Sequence, residues 1–418
     1  MLAVELETKP GAFTERGCSF LGCRVVICGQ IKNVVHIVHS PVGCAYYSWD
    51  YRADSKGYCF TTDLNEMDII FGGEKKLLNA ILTAIEEFRP DAVFVYETCS
   101  TGIIGDDIKA VAEKASHMTG IPVLAFECAG FRGTSQNFGH RVANLCLFKL
   151  IEGGERKKIP NGVNLIGDFN SKDAMVLERL LEDIGLRVIC TFTANSTIER
   201  IRAMKNASLN LVQCSRSSEF LAKLMKERFG IPFLDVNFFG IENCCDSLRK
   251  IGEFFDTHSK IVEETIERNV RRIKPKVEIF REKLRGKRVF ICHGAQRALY
   301  WIRPFEELGM EIVGVATYFG RREDHGRIVE SLGDVFIIDN PSVDELEDIL
   351  LELKPDLVVS DDKIRFVVHK LAIPFLNGRG QGKAYAGFDG FITFAKDVWY
   401  TIASKVWSLA RGFGCRLR

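Results

Sequence analysis

Short β-branched runs alternate with amphipathic helical stretches along almost the whole chain, and that alternation is the strongest constraint on its fold. AVFVYETC (92–99) and PVLAFEC (122–128) read as buried strands, with helices at about 73–89 and 103–118 around the first. After a polar break, EGGERKKIPNG (152–162), the pattern resumes in VNLIGDF (163–169), VICTFT (188–193), LNLVQC (209–214) and PFLDVNFF (232–239). A long helix is expected over roughly 243–283, and KLRGK (283–287) then leads to a third block. That block holds RVFICHG (288–294), EIVGVATY (311–318), VFIID (335–339), DLVVSDD (356–362) and IPFLNG (373–378). Strand–helix alternation of this kind specifies βαβ units and parallel sheets. The expected fold is therefore α/β, with three doubly wound Rossmann-like domains over 1–160, 161–283 and 284–418. Ligands of such sheets bind beyond the carboxyl ends of strands. Cys99, Cys128, Cys214, His293 and Lys363 all fall there, which points to a central pocket between domains, with clusters held between them.

Sulfur is concentrated in GCSFLGCRVVICGQIKNVVHIVHSPVGC (17–44), which has four cysteines and two histidines. The N-terminus shows no basic segment followed by an apolar one, and no apolar run reaches the ~18 residues that span a bilayer. Disulfide frameworks belong to short secreted chains, whereas 418 residues can bury cores without staples. The fourteen cysteines are thus expected to be reduced thiols in a cytoplasmic protein, some of them metal ligands. A net charge of +1 with evenly mixed signs gives no basis for nucleic-acid or membrane partners. Thiolates select iron–sulfur clusters, zinc or copper(I), while a free cysteine is otherwise a small buried hydrophobe. Zinc sites show paired C-x₂₋₄-C knuckles, and Cys18, Cys23 and Cys28 have no matching second knuckle. Cys44 follows the HSPVG turn and Cys99 precedes STGIIGDD, both settings that expose a thiolate beside backbone N–H groups. No G-x-G-x-x-G or P-loop spacing is present, so nucleotide binding is not expected.

GCSFLGC, HSPVGC, SWDYR, FTTDLNEMDIIFGGEKKL, YETCSTGIIGDDI, GFRGTSQNFGH, NLVQCSRS and IPFLNGRGQGKAYAGFDGF run in unbroken order from about 17 to 400. In these the chain resembles the α-type subunits of nitrogenase component 1 and their relatives, including the cofactor-assembly scaffold NifE. The resemblance implies that Cys18, Cys44 and Cys99, spaced C-x₂₅-C-x₅₄-C, ligate an iron–sulfur cluster of 4Fe-4S or P-cluster type. A β-type component 1 partner would supply the remaining ligands, in an α2β2 heterotetramer. Cys23 and Cys28 are expected to be buried thiols, and His36 and His39 to form hydrogen bonds in the core.

The resemblance further implies that Cys214 holds one end of a large buried iron–sulfur cofactor. Catalytic members hold the far end with a histidine after an IPF-type strand, where this chain has Arg379 or Gln381. Arginine stays protonated and offers only donors, so it cannot ligate a metal. That loss resembles the scaffolds. Gln136 and His140 instead match residues beside the substrate face of catalytic pockets, and Val26 matches the small gate residue over the same face. Arg52, Arg216 and Arg297 match pocket arginines, and Lys363 a lysine near an organic acid ligand. Histidine titrates near working pH and can deliver protons. The implied activity is a nitrogenase-like reductase outside the dinitrogen-fixing group, similar to methylthio-alkane reductases and fed by an ATP-hydrolysing iron protein. The alternative is a NifE-like scaffold for assembly of the nitrogenase iron–molybdenum cofactor.

Overall fold

A computed structural model describes residues 5–7, 18–27, 31–50, 58–133, 136–167, 169–213, 215–256, 259–318, 320, 322–380 and 382–414. The chain divides into two compact units, Gly17–Ala174 with Leu186–Asp235, and Met1–Arg16 with Met175–Gly185 and Val236–Arg418. Among the described residues no helix is long and apolar enough to cross a membrane.

The first of these units carries two four-stranded parallel sheets. After a short N-terminal strand β1 (Glu5–Glu7), which belongs to the third sheet, come α1 (Ser19–Ile27), β2 (Val34–His39), α2 (Val42–Asp50), β3 (Tyr58–Thr61), α3 (Glu66–Phe71) and α4 (Glu74–Phe88). They are followed by β4 (Ala92–Glu97), α5 (Cys99–Ile104), α6 (Ile108–Thr119), β5 (Val123–Phe126) and α7 (Gln136–Glu152). The sheet order is β3-β2-β4-β5. Alternate residues of β2 and β4 face opposite cores. Val35, Ile37, Val93 and Val95 pack with Leu77 and Ile81 of α4 and Val111 of α6, while Val34, Val38, Phe94 and Tyr96 pack with Phe20 of α1 and Leu147 of α7. Both faces are covered, which is why β4 reads as a continuous apolar run.

The second sheet, ordered β7-β6-β8-β9, is built from β6 (Gly162–Gly167), β7 (Arg187–Phe192), β8 (Leu209–Gln213) and β9 (Phe233–Asp235). Its helices include α9 (Ile198–Ala203) and α10 (Ser215–Phe229), while α8 (Ser171–Glu182), which follows β6 in the chain, belongs from Met175 onward to the other unit.

The other unit continues with α11 (Ile241–Phe254), α12 (Ser259–Leu284), β10 (Arg288–Gly294), α13 (Ala295–Glu307), β11 (Glu311–Tyr318), α14 (Arg322–Leu332) and β12 (Phe336–Asp339). It ends with α15 (Val343–Leu353), β13 (Leu357–Ser360), α16 (Arg365–Lys370), β14 (Phe375–Asn377), α17 (Gly387–Ala403) and α18 (Lys405–Gly414). Its six-stranded parallel sheet runs β1-β12-β11-β10-β13-β14. One face buries Phe290, Cys292, Tyr318 and Val358 against Leu346, Leu350 and Val368. An aromatic cluster forms around Trp301, whose ring lies 4.6 Å from Phe394 and 4.8 Å from Phe239.

The three doubly wound parallel sheets follow the sequence expectation, with one correction. The helix expected over 243–283 is two helices, α11 and α12, which pack against each other. The amphipathic pattern runs through both, but α11 ends at Phe254 and α12 starts at Ser259. Reversal of strand order places a switch point between β2 and β4, between β6 and β8, and between β10 and β13, the crevices where such sheets bind ligands.

Candidate functional site: three thiols at the first switch point

Three thiols lie beyond the carboxyl ends of β2 and β4. Cys44 is in the first turn of α2 after β2, Cys99 opens α5 after β4, and Cys18 directly precedes α1. Short buried polar bonds fix this region. His39, the last residue of β2, bonds Thr62 Oγ1 through Nδ1 and Asp106 Oδ2 through Nε2, each at 2.9 Å. The Thr98 hydroxyl donates to the His39 carbonyl at 3.0 Å, tying the start of α5 to the strand that leads to Cys44. Asp106 also accepts the Gly73 N–H at 3.1 Å. Burial lowers the His39 pKa despite the neighbouring Asp106 carboxylate. His36 bonds the Tyr96 hydroxyl at 2.8 Å, and full burial holds it well below the usual imidazole range.

The loop after β5 closes over the thiols. Buried Glu97 takes two bonds of 2.7 Å from the Arg132 guanidinium and one of 3.0 Å from the Ala129 N–H. This fork holds Gly130 so close that an added Cβ would lie 2.9 Å from Cys99 Sγ and 3.8 Å from Cys18 Sγ. Burial raises the Cys18 pKa, with the Leu21 N–H opposing it and Cys99 and Cys128 adding to it. Cys44 is also raised, first by burial and then by Cys18 and Cys99, so the three thiols bear on one another. Cys23 is fully buried, hydrogen-bonded to Cys128, and pushed well up by burial.

Among the described residues no three Cys, His, Asp or Glu side chains converge to hold a single metal ion. A cluster of several irons takes its thiolates iron by iron, so its ligands need not converge on one point. Bare thiolates here would be costly to bury, and ferrous or ferric iron would offset their charge. Around the thiols large apolar side chains face outward: Tyr46 on α2 is 74 % exposed, Ile103 on α5 75 % and Phe71 on α3 77 %, with α3 packed on α5.

Within the same unit, α1 and α7 cross with backbones in contact. A Cβ at Gly139 would lie 1.9 Å from the Ser19 carbonyl oxygen, and one at Gly22 would lie 2.2 Å from that of Gln136. The crossing brings Gln136 and His140, one turn apart on α7, to the helix whose end carries Val26. The Thr193 hydroxyl donates to the Val26 carbonyl at 2.5 Å, and Arg141 lies over the Phe220 ring of α10 at 4.8 Å. Gln136 is buried, and its Nε2 has no partner among the described residues. A donor left aimed at nothing suits an acceptor-rich anion such as a sulfide cluster, so this surface fits a bound iron–sulfur cofactor.

Cys28, Arg52, Cys214 and Gln381 lie outside the described residues, as do the side chains of Arg216, at the start of α10, and of Lys363. Arg297, in the first turn of α13, sits over Phe239 at 5.7 Å, and the half-buried Arg379 donates its N–H to Asn377 Oδ1 at 2.8 Å. Sequence reasoning missed Gly130, Gly139 and the Glu97–Arg132 fork. The signal was present in the glycines of GFRGTSQNFGH, although a glycine alone does not say what approaches it.

The chain matches the family model for nitrogenase component 1 type oxidoreductases over residues 18–403. It is 38 % identical to the nitrogenase molybdenum-iron protein alpha chain of Methanothermobacter marburgensis, covering 97 % of this chain and 92 % of that one. It is 39 % identical to the nitrogenase iron-molybdenum cofactor biosynthesis protein NifE of Methanosarcina barkeri, covering 98 % and 93 %. A solved structure of nitrogenase Cp1 at pH 5 superposes with a TM-score of 0.87 at 32 % identity, over 97 % of this chain and 92 % of the other.

Proposed function

The chain belongs to the nitrogenase component 1 family as an α-type member, and from that premise we propose that it is the catalytic α subunit of a nitrogenase-like reductase acting on a small substrate such as a thioether. The observation that carries the reading is the α1–α7 crossing, which brings Gln136 and His140, one turn apart on α7, to the helix that carries Val26, with the buried Gln136 Nε2 lacking a partner among the described residues. When bound, an interface cluster supplies electron relay and a buried iron–sulfur cofactor of unknown heterometal supplies the reducing centre.

Cys18, Cys44 and Cys99 hold the interface cluster, and a β-type partner completes the ligand set in an α2β2 assembly. Electrons come from an ATP-hydrolysing iron protein. The exposed apolar rim of Tyr46, Ile103 and Phe71 suits burial by that β-type partner. Cys214 anchors the cofactor, and Arg216, Arg297, Lys363 and Arg379 offset its negative charge. Gln136 donates toward it, Val26 limits access, Arg52 lines the pocket, and His140 delivers protons.

A second reading, a NifE-like scaffold on which the iron–molybdenum cofactor matures, is favoured by Arg379 or Gln381 standing where a distal histidine ligand is expected. The likeness to NifE, equal in extent to that with the alpha chains, supports it too.

His140→Gln separates the two. It keeps a donor of similar reach and removes titration near neutral pH. In the purified complex with its iron protein, ATP and a panel of unsaturated and thioether substrates, turnover should fall about 10²-fold with cofactor content unchanged. No turnover by the wild type, together with efficient transfer of its cluster to an empty acceptor protein, would establish the scaffold instead.

A further inference from the structure

We propose that the open edge of β5 receives an extended segment of the β-type partner, which adds a strand to the first sheet. The inference rests on the reading that such a partner completes the cluster at Cys18, Cys44 and Cys99, and it names where that partner's chain continues.

Strand β5 ends the sheet order β3-β2-β4-β5 and pairs only with β4 among the described residues. The Val93 N–H donates to the Pro122 carbonyl at 2.9 Å, and Val93 stands opposite Val123. In a parallel ladder that register turns the backbone groups of Leu124 and Phe126 toward β4, and those of Val123 and Ala125 away from it. Side chains satisfy part of this outer edge. The Val123 N–H donates to Ser116 Oγ at 2.8 Å, and the Ala125 carbonyl accepts the Cys146 thiol, a weak donor, at 3.3 Å. The Val123 carbonyl and the Ala125 N–H have no partner among the described residues. An unpaired edge of this kind is a template for another strand unless something covers it.

An open groove of about 790 Å³ lies along that edge, between α6 and α7. Val123, Leu124 and Ala125 form its floor and are only half-buried. The α7 wall is apolar, with Phe138, Val142 and Leu145, whereas the α6 wall offers Lys109, Glu113 and Ser116. Leu124 packs with the core beneath α7, and Val123 and Ala125 with the core beneath α6. A strand added here therefore alternates apolar side chains toward α7 with polar ones toward α6. Its main chain supplies the affinity and its alternate side chains the specificity.

The groove selects its occupant. Because β5 lies between its own two helices, the same edge of a second copy, equally flanked, cannot reach it. An extended segment without flanking helices can. The groove is also continuous with the thiol site. Glu127 and Arg132 line it, and the Arg132 fork onto Glu97 holds the loop that closes over Cys18 and Cys99. Phe131 of the same loop is 54 % exposed. A chain that brings ligands to those thiols arrives at this loop, with the groove directly beside it.

The test uses the full chain, alone and mixed with its β-type partner. Readouts are amide hydrogen exchange across 122–127 and the affinity of the two subunits by calorimetry. Partner binding should slow exchange at Ala125. Ala125→Pro removes that N–H without breaking a ladder bond, because the group points away from β4. Leu145→Glu sets a charge on the apolar wall at a position 41 % exposed in the chain itself. Each should weaken association about tenfold or more, with the melting temperature of the chain alone nearly unchanged. Leu145→Met keeps the wall apolar and should associate like the wild type.

Unchanged exchange at Ala125 on partner binding, with both variants associating as the wild type does, would overturn the inference and leave the partner in place. Protection at Ala125 that rises with the concentration of the chain alone would also overturn it, by making a second copy the occupant. A wild-type chain that associates with no β-type partner would sink the reading itself and the inference with it.

Discussion

Gly130 is the residue whose side chain matters most by being absent. Gly130→Ala places a methyl group 2.9 Å from Cys99 Sγ and 3.0 Å from Cys18 Cβ, so one thiol must move. Iron per complex and the interface-cluster signal should fall, while the melting temperature of the isolated chain changes little because the displaced atoms lie at the unit's surface. Full cluster content in the variant would show that the thiols are not held where the cluster needs them. His36 makes a pH prediction. Burial holds its pKa well below normal in the folded chain, so the unfolded chain binds the proton first. Stability is then fully present above the ordinary value of about 6.5 and is lost as pH falls below it. His39, lowered in the same direction, adds to the effect. Urea midpoints should decline from about pH 6.5 downward, and His36→Gln should make that slope shallower.

Among the elements, the α1–α7 crossing has the least room for change. Gly139→Ala would put a Cβ 1.9 Å from the Ser19 carbonyl oxygen and 2.5 Å from the Cys23 nitrogen, both backbone atoms that cannot swing away. The helices must separate, which should cost about 3 kcal/mol or more, read as a lower urea midpoint. Helix α11 depends on a distant acid. Glu307 accepts the Ile241 N–H at 2.8 Å and the Glu242 N–H at 3.1 Å, capping the first turn. Burial raises its pKa from the ordinary 4.5 to about 7, against those two bonds. The folded chain therefore holds the proton more tightly than the unfolded one. This contribution to stability is full below about pH 4.5, declines as pH rises to about 7 and is flat above. Glu307→Gln cannot ionise and still accepts a backbone N–H, so it should abolish this component and stabilise the chain above pH 7.

For the whole molecule, the outward apolar side chains around the three thiols need a cover. Ile103 is 75 % exposed on α5, the helix that Cys99 opens. Ile103→Glu should leave the isolated chain's stability within about 0.5 kcal/mol, as is usual for exposed positions. Association with a β-type partner should weaken at least tenfold, since a charge would be buried without a counterpart. Sedimentation or calorimetry of the mixed subunits reads this directly. Unchanged affinity would move the interface elsewhere on the chain.

Most of the fold was legible because period-two and period-3.6 patterns are local. The strand runs at 92–99, 209–214, 288–294 and 311–318 contain β4, β8, β10 and β11. Strand β2, VVHIVH, escaped notice because two histidines interrupt the apolar run, and only the folded chain supplies Tyr96, Thr62 and Asp106 as their partners. The sequence by itself determined parallel α/β architecture and, through motif order, the family. It also named Cys18, Cys44 and Cys99. Only the tertiary structure decided that these three bear on one another, that the Glu97–Arg132 fork presses Gly130 against two of them, and that Gly22 and Gly139 bring Gln136 and His140 onto α1. The physical reason is sequence distance: loops after separate strands meet where strand order reverses, and helices approach where a missing Cβ permits. Neither is written in any local window of the chain.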